Sequence, residues 1–463
     1  MDVTPDNAIF VVLSFEGPDV YSMAGGLGSR VEHLTHSLVT MGFQVHHIFI
    51  GDPRMEGLEL REKGKLVLHR WCQWISDHHP CGVYDGEEGK LYDFSRSAPQ
   101  FVVHELAVPA ISEGKLVVIL AEEWHTAEAI CSISDLLNHS GQRDKATLFW
   151  NANNTYGFER IDWQRLSRST TITTVSKYMK QIMLNVGVNS LVIPNGIPRA
   201  FLNEVDKRDA SRIREALDSD LIMSKVARWH PDKGWLAAID AVASIKESGG
   251  TPVLLARGGM ESYGRKITER ARSLGLKVKD VSTGGDPREH YRQAMFEDNF
   301  TPYFEAISKT GSADILNLLF PIPHSFLRLI YQASDIVLAN SGHEPFGLVG
   351  LEAMAAGAVV FTGCSGEDYA SNMFNAIVLD TNTSKEIKFY VDYLREHPEA
   401  MERISTAARQ TAERWTWEEV VKILISKLEF QLRTKKRRPT SEAMTLKLGT
   451  EMQLPEHSRS LSM

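Results

Sequence analysis

Asn340-Ser-Gly-His-Glu-Pro-Phe-Gly-Leu-Val-Gly-Leu-Glu-Ala-Met-Ala-Ala-Gly357 sets two carboxylates, Glu344 and Glu352, on either side of a seven-residue gap. Just ahead of it, Asp335-Ile-Val-Leu-Ala339 is a short apolar run of buried-strand type. After the first glutamate, Leu348, Leu351, Met354 and Ala355 recur at helical spacing. The stretch reads as a strand, a loop and the start of a helix. Pro345 stands where a helix entrance tolerates proline, and Gly347 lets a ligand approach the backbone closely. Free amides at a helix start favour an anion such as a diphosphate, while carboxylates nearby accept hydrogen bonds from sugar and ribose hydroxyls. One junction thus suits both ends of a sugar nucleotide.

The segment resembles the Glu-x7-Glu motif of retaining glycosyltransferases with the two-domain GT-B fold, in particular glycosyltransferase family 4 and the glycogen synthases. The resemblance implies that Glu344 touches the transferred sugar and that Glu352 holds the ribose. The backbone of Phe346, Gly347 and Leu348 would touch sugar and phosphate.

Working outward, Ala227-Arg-Trp-His-Pro-Asp-Lys-Gly234 supplies two cations, Arg228 and Lys233, where a strand gives way to a helix. A guanidinium grips phosphate bidentately and an ammonium acts as a compact point charge, so the pair suits a leaving diphosphate. The spacing resembles the family's Arg-x4-Lys donor motif. Met23-Ala-Gly-Gly-Leu-Gly28 lies between the first strand and its helix, where glycines bring main-chain amides close to phosphate. It resembles the family's Gly-Gly-Leu loop, which implies that Gly25 and Gly26 lie over the donor diphosphate. Starch and bacterial glycogen synthases carry a lysine where this chain has Met23, a departure that argues against ADP-glucose. Glu122-Glu-Trp-His-Thr126 follows a strand at the edge where open α/β sheets present ligand-binding side chains. It resembles the Asp-Trp-His-Thr of glycogen synthases, with Glu123 in place of the aspartate. His125 then becomes the counterpart of a histidine facing the reacting sugar.

Two further segments are read from their residue types. Asn151-Ala-Asn-Asn-Thr-Tyr156 is rich in amides able to bind hydroxyls. His69-Arg-Trp-Cys72 and Trp74 to Tyr84 gather His, Cys and Trp, but lack the four-ligand spacing of structural zinc. We read them as an acceptor-side loop or as ordinary core and surface residues, and expect no metal.

The chain has 463 residues and is 43% hydrophobic, enough for two full cores, since single cores stop growing near ~250 to 300 residues. Ile9 to Leu13, a Gly-rich loop, the helical face Val31, Leu34, Leu38, Met41 and the strand Val45 to Ile50 form a doubly wound unit. Further strands are expected near 116–121, 148–150, 171–175 and 191–193, then near 221–227, 253–256, 315–320, 336–339 and 359–362. The expected organisation is a first, acceptor-side Rossmann-like lobe over 1–197, a linker over 198–220 and a donor-binding Rossmann-like lobe over 221–414. A crossover helix over 415–432, returning to the first lobe, and a disordered tail over 433–463 complete it. Residues 277–310 read as an insertion or long connection.

The formal net charge of −8 argues against general nucleic-acid affinity. Four scattered cysteines fit a reducing compartment. No apolar run approaches the ~18 to 20 residues of a membrane span, so the expectation is a soluble, cytoplasmic protein. The basic cluster at 435–438 offers weak contact with an anionic membrane surface.

The expected activity is transfer of a sugar from a UDP-, GDP- or ADP-sugar to a hydroxyl of a carbohydrate or other acceptor. Configuration would be retained, with neither metal nor cofactor. The alternatives are an epimerase or hydrolase on the same fold, or a non-catalytic sugar-nucleotide sensor.

Overall fold

The computed structural model describes residues 2–437. Its first sheet is built from β1 (Ala8–Leu13), β2 (Gln44–Ile50), β3 (Leu58–Arg61), β4 (Leu66–Trp71), β5 (Leu116–Glu122), β6 (Ala146–Ala152), β7 (Thr171–Thr174) and β8 (Leu191–Val192). The strands run in the order β3-β4-β2-β1-β5-β6-β7-β8. All neighbours are parallel except the β3–β4 hairpin at the edge. Ala8-Ile-Phe-Val-Val-Leu13 and Leu116-Val-Val-Ile-Leu-Ala-Glu122 are buried along their whole length, as central parallel strands covered by helices on both faces must be.

The second sheet comprises β9 (Leu221–Val226), β10 (Pro252–Arg257), β11 (Val278–Val281), β12 (Ile315–Leu318), β13 (Ile336–Ala339), β14 (Val359–Thr362) and β15 (Ile377–Val378). Its order is β11-β12-β10-β9-β13-β14-β15, and every pairing is parallel. In each sheet the order reverses beside the first strand. That switch point opens the crevice at the carboxyl ends of the strands where ligands bind in doubly wound folds. The two Rossmann-like lobes of a GT-B fold are therefore present.

The helices that matter for the site are α1 (Gly26–Thr40), α2 (Glu87–Phe101), α3 (Ala127–His139), α4 (Trp163–Ser169), α5 (Lys177–Asn185), α6 (Lys207–Leu217), α7 (Trp235–Glu247), α8 (Leu348–Ala355) and α9 (Trp417–Arg437). Val31, Leu34 and Leu38 of α1 pack in one core with Phe10 and Val12 of β1 and with Trp417, Val420, Val421, Leu424 and Leu428 of α9. The last helix thus returns to the first lobe, and it continues past residue 432 to Arg437. It enters across the start of the inter-lobe segment: Ile197 N–H donates to the Trp415 carbonyl at 2.9 Å, and Trp417 N–H to the Ile197 carbonyl at 3.1 Å. Within 198–220, α6 buries Ala210, Ile213 and Leu217 against the second lobe. This polar stretch is an amphipathic helix docked on that lobe. Residues 277–310 are also regular, forming β11 and helices over Pro287–Phe296 and Thr301–Thr310. The side chains of the basic cluster 435–438, and the segment beyond it, lie outside the described residues.

β4 falls in the His- and Cys-rich region that sequence reading left without a strand. Its His69 Nε2 lies 3.0 Å from His46 Nδ1, and the Cys72 thiol donates to Asp93 at 3.3 Å. The following segment winds around Lys90, a fully buried ammonium that donates to the carbonyls of Gly82 and Val83, each at 3.1 Å, and of Asp85 at 2.6 Å. A buried charge is stable only when its donors are filled, and here a ring of carbonyls does so.

Candidate active site

The second lobe's site is made by two loops pressed together, those after β9 and β13. Gly234 has φ +64°, and a Cβ there would come 2.2 Å from the Asn340 carbonyl, so only glycine fits. Gly342 N–H donates to the Asp232 carbonyl at 2.7 Å, and Asn382 Nδ2 to the Asn340 carbonyl at 2.9 Å. This stitching sets Lys233 Nζ 2.6 Å from Glu344 Oε2, with both side chains about one-fifth exposed. Beneath them Lys225 is 1% exposed and donates to Asn340 Oδ1 at 2.5 Å and the Leu338 carbonyl at 3.2 Å. Burial, aided by the neighbouring Lys233, lowers its pKa to about 7. Arg228 is exposed and forms no ion pair among the described residues.

Glu344 is also held through its backbone. Its N–H donates to Ser365 Oγ at 2.9 Å, and its carbonyl accepts from Gly366 N–H at 2.9 Å. Gly347, at φ +79°, caps α8, and a Cβ on it would meet Glu367 Cγ at 2.8 Å. The amides of Leu348, Val349 and Gly350 that open α8 find no acceptor within the described protein. Glu352, half-buried in the first turns of α8, makes no hydrogen bond through its carboxyl among the described residues, and burial pushes its pKa up to about 8. Phe346 is buried between Tyr369 and Trp415, ring centroids 5.8 Å from each, so its ring anchors the loop and only its backbone faces the site. Glu344, Phe346, Gly347, Leu348, Glu352, Arg228 and Lys233 therefore share one strand-exit edge.

The first lobe meets this edge directly. Lys177 N–H, at the start of α5, donates to Asp368 Oδ2 at 2.8 Å, and Tyr178 Oη lies 3.1 Å from His343 Nδ1. Its own glycine-entered helix is arranged differently. The Glu16 carboxylate, on a residue 4% exposed, accepts the amides of Ala24 (3.1 Å), Gly25 (2.9 Å) and Gly28 (3.0 Å) through one oxygen. Tyr84 Oη donates to the other at 2.6 Å. The Gly25 amide, read from sequence as a phosphate donor, is thus taken by an internal carboxylate, while Gly26 N–H has no acceptor among the described residues.

His125 is 3% exposed and sandwiched between Phe15 (centroids 4.2 Å) and Trp124 (3.9 Å). Its Nε2 lies 2.7 Å from Glu87 Oε1, and burial lowers its pKa to about 3. Burial favours the neutral ring, and with Glu87 ionised Nε2–H donates to it, leaving Nδ1 as an acceptor. Glu123 is buried, accepts the Asn153 amide at 2.6 Å and has its pKa pushed up to about 8. Asn151 and Asn153 both donate their side-chain N–H to Glu122, at 3.0 and 2.9 Å, which also pairs with buried Arg30 at 3.0 Å. Their N–H donors belong to a structural network, while the Asn153 Oδ1 has no partner among the described residues.

Four site-lining groups were not read from sequence: Glu16, Glu87, Lys225 and Glu367. Lys225 had a signal, a charge inside the apolar run Leu221–Val226. Glu367 is buried with one oxygen unpartnered, and its pKa is raised to about 7. Glu16 comes from a loop and Glu87 is the first residue of α2, positions that no periodicity marks. No group of three or more His, Cys, Asp or Glu suited to a metal occurs among the described residues. No described helix is long and apolar enough to cross a membrane.

Residues 297–411 match the family described as Glycosyl transferases group 1. An uncharacterized glycosyltransferase YqgM of Bacillus subtilis is 26% identical over 202 residues, 42% of this chain and 56% of that protein. The chain thus spans about half the length of this relative. Among solved structures, the catalytic domain of starch synthase IV from Arabidopsis thaliana, bound to ADP and acarbose, superposes with TM-score 0.61 at 17% identity, covering 92% of this chain and 99% of that one. Anabaena HepE in complex with UDP-glucose gives TM-score 0.59 at 15% identity, covering 92% and 100%. The structural likeness shows the GT-B fold across the chain, and the family match, which includes the Glu344 to Glu352 junction, supports a glycosyltransferase.

Proposed function

We propose that the protein transfers a sugar from a nucleoside-diphosphate sugar to an acceptor hydroxyl with retention of anomeric configuration, as a member of glycosyltransferase family 4 or its glycogen synthase-like relatives. The observation that carries this reading is the shared strand-exit edge where two cations, two carboxylates and the open amides of α8 converge. The amides, Arg228 and Lys233 take the diphosphate, Glu352 takes the ribose hydroxyls and Glu344 the sugar. Nucleotide sugars fit this division because they carry an anion between two polyhydroxyl groups. The structural neighbours with UDP-glucose and with ADP are consistent with such a donor, and the base is left open.

In the proposed reaction the bond between the anomeric carbon and the diphosphate oxygen breaks as the acceptor oxygen bonds to that carbon from the same side. The acceptor's proton passes to the departing diphosphate. Fixed cations and amides aimed at the growing charge are the main source of acceleration, since they need no reorganisation as the charge develops. The leaving group is already stable as an anion, so this scheme assigns no acid, metal or cofactor. His125, as a neutral ring with Nδ1 accepting, is suited to a sugar hydroxyl and unsuited to donating a proton.

Nucleoside-diphosphate release from a panel of UDP-, GDP- and ADP-sugars, with and without cell-extract acceptors, tests the reading by comparing the natural protein with Glu344→Gln. Acceptor-dependent release from one donor, falling at least a hundredfold in the variant, is expected. Acceptor-independent turnover would move the protein to the epimerases or hydrolases, and binding without release would make it a sensor.

A further inference from the structure

Beside His125, α2, α3 and the 160–166 segment border a cleft of about 1070 Å³. It begins at Trp124 and His125 and follows α3 to His139, a path of about 22 Å at the rise of an α-helix. Its size is at the upper end of small-molecule pockets, ~300 to 1,000 Å³, and its shape is elongated.

The lining chemistry narrows the occupant. Four carboxylates (Glu88, Glu128, Asp135, Asp162) and three guanidiniums (Arg96, Arg160, Arg165) edge the cleft, so negative charge slightly outweighs positive. Arg160 pairs with Glu88 at 2.9 Å, and Arg165 bridges Glu128 at 2.6 Å and Asp135 at 2.9 Å. A polyanion would find no excess of positive charge here, and an acyl chain would strip water from these pairs along its whole length, which is costly. Carbohydrate suits both features: its C–H faces pack on apolar floor residues such as Leu91, Ala127 and Leu166, while its hydroxyls bond the paired charges, which keep spare lone pairs and N–H groups. Tyr92, 64% exposed with the Arg96 guanidinium 4.4 Å from its ring centre, adds an aromatic face at the rim.

The inner end holds two buried polar atoms that lack partners in the protein. Trp124 and His125 are 6% and 3% exposed, yet Trp124 Nε1 and His125 Nδ1 have no hydrogen-bond partner. One is an N–H donor. The other, with Nε2–H given to Glu87, is a bare acceptor. Buried polar atoms without partners are rare and call for an explanation. A hydroxyl or an ordered water, each of which donates and accepts at once, suits both atoms, whereas an apolar group or a phosphate does not.

We propose that this cleft binds the non-reacting part of the acceptor, and that the acceptor is a neutral oligosaccharide chain several units long. The inference rests on the transfer reading above and specifies its acceptor. The chain would lie along α3 with its growing end at His125.

The test screens the full-length protein on an array of neutral, sulfated and sialylated glycans from monosaccharides to octasaccharides, and on phosphatidylcholine vesicles. Retention of neutral chains in preference to monosaccharides is expected. Ser132→Trp, which fills the cleft midway along α3, and the rim change Tyr92→Ala should each weaken that retention at least tenfold, with nucleoside-diphosphate affinity by calorimetry reporting an intact second lobe. Undiminished glycan binding in both variants, a preference for acidic glycans or vesicles, or no neutral glycan bound by a protein that binds nucleotide sugars would overturn the proposal. The transfer reading fails separately: it falls if no nucleotide sugar shows Glu344-dependent release, whatever the array reports.

Discussion

At the entrance to α1 in the first lobe, a buried carboxylate from Glu16 accepts the amides of Ala24, Gly25 and Gly28. At the entrance to α8 in the second lobe, the amides of Leu348, Val349 and Gly350 have no such partner, and Lys233, Arg228, Glu344 and Glu352 gather around them. Both entrances are glycine-rich turns at the carboxyl end of a parallel strand, and both carry the positive end of a helix dipole. One has been filled by an internal anion except at Gly26 N–H, and the other left open. An entrance becomes an anion site through what surrounds it, and the glycines alone do not decide the matter. The first lobe's entrance is instead a rigid floor, tied through Tyr84 to the segment over His125.

The most severe way to break this contrast is to remove the charge around the open entrance. Arg228→Ala combined with Lys233→Ala should lower turnover by at least about a hundredfold, the scale seen when one preorganised electrostatic stabiliser is lost. Circular dichroism should show the fold retained, since Arg228 is exposed and Lys233 partly so. Unchanged turnover would remove the second lobe's entrance from the chemistry.

A smaller effect is expected at Glu352. Hydroxyls donating to its carboxylate favour the ionised form, so nucleotide affinity should rise with pH until the pKa of about 8 and level off above it. Calorimetric titration from pH 6 to 9 would show this rise, and Glu352→Gln should flatten it and lose about tenfold in affinity at high pH, near the worth of a hydrogen bond to a charged group. Glu367, with its pKa near 7, titrates in the same range, so a slope that survives in Glu352→Gln would reassign the effect to it. The sign for stability is opposite. Between the ordinary glutamate range and about 8, the folded protein holds the Glu352 proton that an unfolded chain has released. The burial of this carboxyl therefore costs stability increasingly as pH rises through that window, and the cost levels off above about 8.

The smallest effect belongs to the closed entrance. Glu16→Gln keeps the size but weakens acceptance of three amides, and should destabilise by about 1 to 2 kcal/mol, a few degrees in melting temperature. Nucleoside-diphosphate affinity should not increase. A gain in affinity would show that the first lobe's amides can bind phosphate once freed, and that Glu16 competes with the ligand.

Much of this was legible along the chain. Apolar runs such as Ala8–Leu13 and Ile336–Ala339 read as strands because central parallel strands have no polar face to interrupt them. β3 and β15 are edge strands and short, and β4 carries His69 and Arg70 inward, so none shows such a run. β11 alternates charges on an exposed edge and looked like connection. In the site, residues next to a strand end were found by local spacing, whereas Glu16 and Glu367 approach from other loops and Glu87 from the start of α2. In the amide-rich Asn151 to Tyr156 segment, the side-chain donors of Asn151 and Asn153 go to the buried Glu122 carboxylate, since amides bind a carboxylate as readily as a hydroxyl.

The sequence by itself determined the two-lobed α/β architecture, the strand-to-helix junction at Glu344 to Glu352 and the cations at 228 and 233. These follow from burial periodicity and from neighbours a few residues apart. Only the tertiary structure decided which glycine-rich entrance stays open, which asparagine donors are already occupied and that an elongated cleft edged by ion pairs leads away from His125. Those outcomes depend on which side chains meet across loops far apart in sequence, where the stronger partner wins each buried polar group.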